Sequence, residues 1–296
     1  MDYLANYKRT REIIDKHSFS VKKNFGQNFL VDGHVVSKII RGSGITKNDL
    51  VIEIGPGLGS LTQVLADNAG KVLAIEIDKT LIPILSDTLS GYDNVEIINN
   101  DVLKIDINSL IKEQGYEKAS IVANLPYYIT TPIIMGILES GTNINSMTVM
   151  VQKEVGDRMR ATPSTKDYGS LSLAVQFYAD VELIANVPRN CFIPRPNVDS
   201  AVVKLSIRQN KEFDVYNEKL MFKIIRAAFE QRRKTLLNCI YNLCGFGYSK
   251  DELSEILTSC GFDVNVRGES LSLQDFVKIS NVFCNSSPER CNSSSE

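Results

Sequence analysis

Between residues 50 and 151, short apolar runs alternate with helix-like segments at a spacing that leaves little choice of fold. Leu50 to Ile54, Val72 to Ile77, Val95 to Ile98, Ile121 to Ala123 and Met147 to Val151 read as strands. Leu61 to Asp67, Leu81 to Leu89 and a stretch near Pro132 to Leu138 read as the helices between them. A crossover of this length joins parallel strands, and parallel strands must be covered on both faces. The sequence therefore predicts an α/β class with a doubly wound, mostly parallel sheet.

The flanking segments are of a different kind. Asp32 is a candidate N-cap for a helix through Val35, Val36, Ile39 and Ile40 that stops at Gly42 and Gly44. Val181 to Val187 and Ala201 to Ile207 read as further strands, separated by the proline-rich run from Cys191 to Pro196. Beyond Arg208 the strand signal disappears, and Leu220 to Leu243, Asp251 to Thr258 and Leu273 to Ile279 read as amphipathic helices. The expected organisation is a main domain over 1–207 with a basic N-terminal arm, a small helical domain over 208–284, and a disordered serine-rich tail over 285–296.

Composition removes several classes of function. No apolar run approaches the roughly 20 residues of a membrane span, and the polar N-terminus has no secretion-signal core. Six cysteines without paired or zinc-like spacing, and only two histidines, give no reason to expect a metal. Reduced thiols and a cytoplasmic location are expected. The net charge of −2 gives no global pull towards a polyanion, but two segments stand apart. Residues 8–23 hold six cations against two acids and residues 221–240 hold five against one, each a local +4 that suits phosphate contact or simply a solvated face.

Three short stretches carry chemistry. Glu53-Ile54-Gly55-Pro56-Gly57-Leu58-Gly59 follows a strand and opens a helix, so its glycines allow a tight turn and close ligand approach. Its spacing is G-x-G-x-G, with Ser60 where a dinucleotide fingerprint has its third glycine. Glu76, at the end of the next strand, is placed to accept both hydroxyls of a ribose. Asp101 and Val102 end the third strand, one to accept from an adenine amine and the other to pack on its ring. Ordinary strand-end charge is the plainer reading of Glu76 and Asp101.

The third stretch is Asn124-Leu125-Pro126-Tyr127-Tyr128. The Asn124 amide oxygen and the Leu125 carbonyl offer two acceptors to one NH₂ group, and Tyr127 offers a ring face to a planar base. Pro126 restricts its own backbone and biases Leu125 towards an extended form. The plainer alternative is a strand-to-loop turn punctuated by Asn and Pro.

Taken in order, Phe25 to Leu30, Glu53 to Gly59, Glu76 to Asp78, Asn124 to Tyr127 and Phe192 to Pro196 resemble the ribosomal RNA adenine dimethyltransferases, and most closely the KsgA branch that acts on small-subunit (16S) rRNA. The resemblance spans roughly residues 15 to 280 and includes Ala228 to Leu236 and Arg267 to Leu273. It implies a Rossmann-like class I S-adenosylmethionine-dependent methyltransferase fold, with a mostly parallel seven-stranded sheet and a small C-terminal helical domain. It also implies dimethylation of the exocyclic amines of two adjacent adenosines in a 3′-terminal hairpin loop.

Carried over residue by residue, the resemblance places Asn28 and Leu30 at the methionine end of S-adenosylmethionine. Gly55 and Gly57 fall in its glycine loop, Glu76 on the ribose, and Asp101 with Val102 on the adenine. Asn124 bridges cofactor and target, the Leu125 carbonyl shares the amine, and Tyr127 and Phe192 stack on the target base. Position 28 is often His in the pattern and is Asn here, so contact there is expected through the backbone; position 128 is often Asn and is Tyr here. The expected chemistry is direct displacement without metal or covalent intermediate. The expected partner is small-subunit rRNA or an assembling small subunit, gripped by Lys22, Lys23, Arg195, Lys223, Arg226 and Arg233, with the enzyme acting as a monomer. The rival readings are a large-subunit rRNA methyltransferase conferring resistance and a non-catalytic nucleic-acid-binding relative.

Overall fold

The computed structural model describes residues 3–22, 26–208 and 212–286. The expectations for Lys23, Phe25 and the tail beyond 286 lie outside the described residues. Packing divides the chain into two compact units, one of Met1–Gly156 with Asp180–Ile207 and one of Asp157–Ala179 with Arg208–Glu296.

The first unit opens with helix α1 (Tyr7–Lys16), whose first amides are capped by the Asn6 side chain. After β1 (Phe29–Leu30), helix α2 (Gly33–Ser43) starts at Asp32, which accepts from the amides of His34 and Val35 as the sequence predicts. There follow β2 (Leu50–Ile54), α3 (Ser60–Asn68), β3 (Lys71–Glu76), α4 (Ile82–Thr88), β4 (Val95–Asn99), α5 (Ile107–Glu113), β5 (Ala119–Asn124), α6 (Thr130–Glu139) and β6 (Ile144–Gln152). The unit is completed by β7 (Ala179–Val187), β8 (Phe192–Ile193) and β9 (Ser200–Ile207).

Seven strands form one sheet in the order β4-β3-β2-β5-β6-β9-β7. The five from β4 to β6 run parallel, and β9 is antiparallel to β6 with Gln152 opposite Ser200. Leu50, Val51 and Ile52 at its centre are wholly buried, as a strand covered on both faces requires. Val36 and Ile39 of α2 pack with Leu61 and Leu65 of α3 on one face. The chain steps outward from β2 to β3 and β4, then crosses back to β5. The crevice beyond the carboxyl ends of β2 and β5 is therefore the switch point at which such sheets bind ligands. A separate two-stranded pairing, Phe29 with Ile193 and Leu30 with Phe192, ties the N-terminal segment to the proline-rich loop.

The second unit is helical: α7 (Lys153–Met159) leads into it, followed by α8 (Ser170–Tyr178), α9 (Glu218–Glu230), α10 (Leu236–Leu243), α11 (Lys250–Ser259) and α12 (Leu273–Ser286). Met221, Ile224, Leu257 and Phe276 form its core. Residues 157–179 belong here rather than to the first unit, which a single boundary near 208 does not capture. The reason is packing: Tyr168 and Leu173 are buried in the same core, and the Tyr168 hydroxyl donates to the Leu271 carbonyl at 2.7 Å. The stretch from 220 to 243 forms two helices because residues 231–234 turn, with Thr235 capping the second.

Candidate active site

A cavity opens at the switch point of the first unit, the place where sheets of this kind bind small molecules. Asn28, Leu30, Gly55, Gly57, Glu76, Asp101, Val102, Asn124, Leu125 and Tyr127, all expected to bind cofactor or target, line it together. For all but Asn28 and Leu30, which come from the β1 segment, the parallel strands achieve this because each ends at the same side of the sheet and hands its next residues to the crevice.

The glycine loop needs its glycines. Gly57 has φ +61°, and a Cβ there would lie 3.0 Å from the Phe29 ring, so backbone conformation and close approach both disfavour a side chain. Its amide donates to Glu76 Oε2 at 3.2 Å, while the Asp78 amide donates to Oε1 at 2.8 Å. The Glu76 carboxylate is thus aimed, and each oxygen keeps a lone pair for a ribose hydroxyl. Burial holds the Glu76 pKa above the ordinary carboxylate value despite these donors.

Asp101 Oδ1 caps the amide of Leu103, which leaves Oδ2 without a hydrogen bond among the described residues. Val102 beside it is apolar and faces the same cavity. Asn124 Nδ2 donates to the Asn28 carbonyl at 2.9 Å, which joins the segment before β1 to the end of β5 and leaves the amide oxygen of Asn124 as an acceptor. The Leu125 amide donates to the Met150 carbonyl at 3.1 Å, which fixes that peptide; its own carbonyl has no partner among the described residues. Tyr127 is half-buried, with its hydroxyl 2.6 Å from Ser200 Oγ. Burial raises its pKa, so the ring is neutral and able to stack.

Two expectations need correction. Phe192 does not line the cavity: it is 3% exposed, packed in the core with Leu30 and Val36, because its pairing with Leu30 turns it inward. Lys22 is not a free basic contact: its Nζ donates to Asp78 Oδ1 at 2.9 Å and to Thr80 Oγ1 at 3.0 Å. Gln27 Nε2 takes the other Asp78 oxygen, so Lys22 and Gln27 are both held to the residue two places after Glu76. Burial alone would raise Asp78, but the donors from Lys22, Thr80 and Gln27 outweigh it and hold its pKa low.

The remaining proposed cations are exposed: Arg195 on the proline-rich loop, and Lys223, Arg226 and Arg233 in the second unit. Lys223 also lies over the Phe246 ring at 4.9 Å. Arg232, between them in sequence, is turned to structure, donating to the carbonyls of Lys166 and Tyr168 at 3.0 and 2.6 Å.

Sequence reasoning passed over two residues. Glu53 is 1% exposed at the cavity wall, its Oε2 has no partner among the described residues, and burial pushes its pKa up to about 8. An acid inside the apolar run Val51-Ile52-Glu53-Ile54 was the available signal. Ser200 gave no signal, since only the register of β9 places it against Tyr127.

Residues 18–283 match the family model for ribosomal RNA adenine dimethylase. A ribosomal RNA small subunit methyltransferase A from Lachnoclostridium phytofermentans is 55% identical over 285 residues, 96% of this chain and 98% of that protein. Among solved structures, a dimethyladenosine transferase from Plasmodium falciparum matches with a TM-score of 0.76 and 26% identity, over 87% of this chain and 98% of that one. The 23S rRNA methyltransferase ErmE matches at 0.67 and 25% identity, over 86% and 99% of the two chains.

Proposed function

The chain belongs to the ribosomal RNA adenine dimethylase family, and from that premise we propose that it dimethylates the exocyclic amines of two adjacent adenosines in the 3′-terminal hairpin loop of small-subunit rRNA. It is an S-adenosylmethionine-dependent adenine methyltransferase, and the cavity suits that cofactor. A glycine cradle without a side chain at Gly57, an aimed Glu76 for the ribose, and an Asp101 oxygen left free among the described residues beside Val102 for the adenine are what an adenosyl group needs. When bound, S-adenosylmethionine supplies an electrophilic methyl group on a sulfonium.

The observation that carries the reading is the pair of acceptors left unengaged among the described residues, Asn124 Oδ1 and the Leu125 carbonyl, on the wall shared with the glycine loop. An adenine amine is a poor nucleophile because its lone pair is delocalised into the ring. Two hydrogen bonds to the NH₂ group favour a pyramidal nitrogen and free that lone pair. Because both acceptors are held by the fold before substrate arrives, little reorganisation remains to be done during reaction. Guanine would present a carbonyl to the same two acceptors and be rejected.

The target base must leave its stack, at a cost of a few kcal/mol. Stacking on Tyr127 returns roughly 1–3 kcal/mol. With Phe192 buried, Tyr127 carries that share without it. The exposed Arg195, Lys223, Arg226 and Arg233 fit contacts to rRNA phosphates. Among the described residues no helix is long and apolar enough to cross a membrane; a cytoplasmic, monomeric enzyme fits the rRNA substrate.

ErmE shares the fold and acts on 23S rRNA by its name, but the relative named for the small subunit is 55% identical, against 25% for ErmE. Incubation with labelled S-adenosylmethionine and either unmethylated small subunits or large-subunit rRNA separates the two. Label mapped to two adjacent adenosines of the small subunit is the expected result; label on large-subunit rRNA alone overturns it.

A further inference from the structure

We propose that Ser200 is a positioning residue for the reaction: it anchors the Tyr127 ring at the angle that receives the target adenine. The inference rests on the stacking role of Tyr127 given above and adds a residue to it.

Tyr127 sits in the turn between β5 and α6. That turn is held through its backbone, since the Pro126 carbonyl accepts from the Ile129 amide and from Thr130 Oγ1. Neither bond restrains the Tyr127 side chain. An aromatic ring at a loop has several staggered χ1 wells open to it, and each points the ring in a different direction. The restraint found here is the 2.6 Å hydrogen bond from the far end of the ring to Ser200 Oγ. With both ends of its long axis fixed, the ring is held to one direction.

The anchor is suited to this task. Ser200 is 0% exposed, so water does not compete for its hydroxyl. It is the first residue of β9, and β9 is bonded to β6 by a continuous register from Gln152–Ser200 to Ser146–Ser206. The same β6 pairs Met150 with Asn124 on its other side. The ring that receives the base and the amide that receives its amine are thus referred to one rigid strand. Among the described residues Tyr127 is the only hydrogen-bond partner of the Ser200 hydroxyl, so the side chain has no other visible task.

The test uses the full chain with unmethylated small subunits and S-adenosylmethionine, comparing Ser200→Ala, Ser200→Thr, Tyr127→Phe, Tyr127→Leu and the Ser200→Ala/Tyr127→Phe double variant. Ser200→Ala and Tyr127→Phe should each lower kcat by roughly 10- to 100-fold, the scale of a small misplacement of a reacting group. KM for the subunit and the affinity for S-adenosylmethionine should hold within about twofold, because the cofactor contacts lie elsewhere in the cavity. The double variant should be no worse than either single one, since both remove the same bond. Ser200→Thr should recover most of the loss by restoring the hydroxyl. Losses that multiply in the double variant, or a fall in cofactor affinity matching the fall in kcat, would overturn the anchor. Normal turnover by Ser200→Ala beside a crippled Tyr127→Leu also overturns the anchor, while leaving the stacking reading intact. Full turnover by Tyr127→Leu overturns that reading and the anchor with it.

Discussion

Replacing Asn124 with Ala separates what the side chain does for the fold from what it does for the reaction. Among the described residues it makes one hydrogen bond, from Nδ2 to the Asn28 carbonyl at 2.9 Å, in a half-buried setting. Losing such a bond costs about 0.5–1.5 kcal/mol. For a chain of this size each kcal/mol moves the melting temperature by roughly 2–4 °C, so the variant should melt only a few degrees below the parent. The same bond ties the segment lining the cofactor end of the cavity to β5. Affinity for S-adenosylmethionine should therefore fall by no more than about tenfold, the factor that roughly 1.4 kcal/mol represents. The effect on turnover is of another size. One of two preorganised acceptors for the amine disappears, and removing a comparable group from a preorganised site costs about 10²–10³ in kcat. Calorimetric titration of the cofactor, thermal melting, and single-turnover methylation of small subunits give the three quantities on one preparation. Turnover within tenfold of the parent would refute the assignment of Oδ1 to the target amine, and so would a loss of cofactor affinity equal to the loss of turnover.

Gly57→Ala should weaken S-adenosylmethionine binding at least tenfold, because its φ of +61° costs a side chain about 1–2 kcal/mol and the new methyl meets the Phe29 ring at 3.0 Å; titration of the cofactor decides it, and an unchanged affinity would count against the cradle. Glu53, with a folded pKa of about 8 against an ordinary 4.5, holds a proton in the folded state over a range where the unfolded chain has released it. Stability is therefore lost as pH rises from 4.5 towards 8, and Glu53→Gln should flatten that decline; melting curves from pH 5 to 9 that fall in parallel for both proteins would contradict it. Arg232→Ala should lower the melting temperature by several degrees, because it orphans two bonded carbonyls, whereas Arg226→Ala should leave melting unchanged. Arg226→Ala should instead reduce the salt dependence of rRNA binding by about one counterion; the reverse pattern would show the two arginines to be misassigned.

That the proposed cofactor residues share one cavity was legible in the sequence because that part of the site is built from consecutive strand–helix units. Each of β2, β3 and β4 ends in a residue the cavity uses or just before one, and the spacing of apolar runs alone locates those ends. Gly55, Gly57, Glu76 and Asp101 follow in order, so reading the chain in order finds them. Asn124 and Leu125 obey the same logic one strand further on. The helix α1 was missed because its apolar positions are sparse among six charged residues, and its start depends on the cap at Asn6. Lys22 looked like a phosphate contact because composition reports charge and not the distance to Asp78.

The half proposed to receive the target base obeys a different rule, and this explains why the structure places Phe192 elsewhere than expected and why Ser200 carries no signal. β9 enters the sheet antiparallel, between β6 and β7, after a proline-rich loop. Nothing local specifies whether residue 200 or its neighbour will face Tyr127; shifting the register by one residue would turn the Ser200 hydroxyl to the opposite face of the sheet. The short pairing of Leu30 with Phe192 likewise links segments far apart in sequence, and it decides that the phenyl ring belongs to the core. Residues whose position is set by distant pairing carry no periodic signal of their own. A motif can therefore name the aromatic residues around a base pocket correctly, while strand register alone determines which ring lines the pocket, which is buried behind it, and which hydroxyl holds the working ring in place.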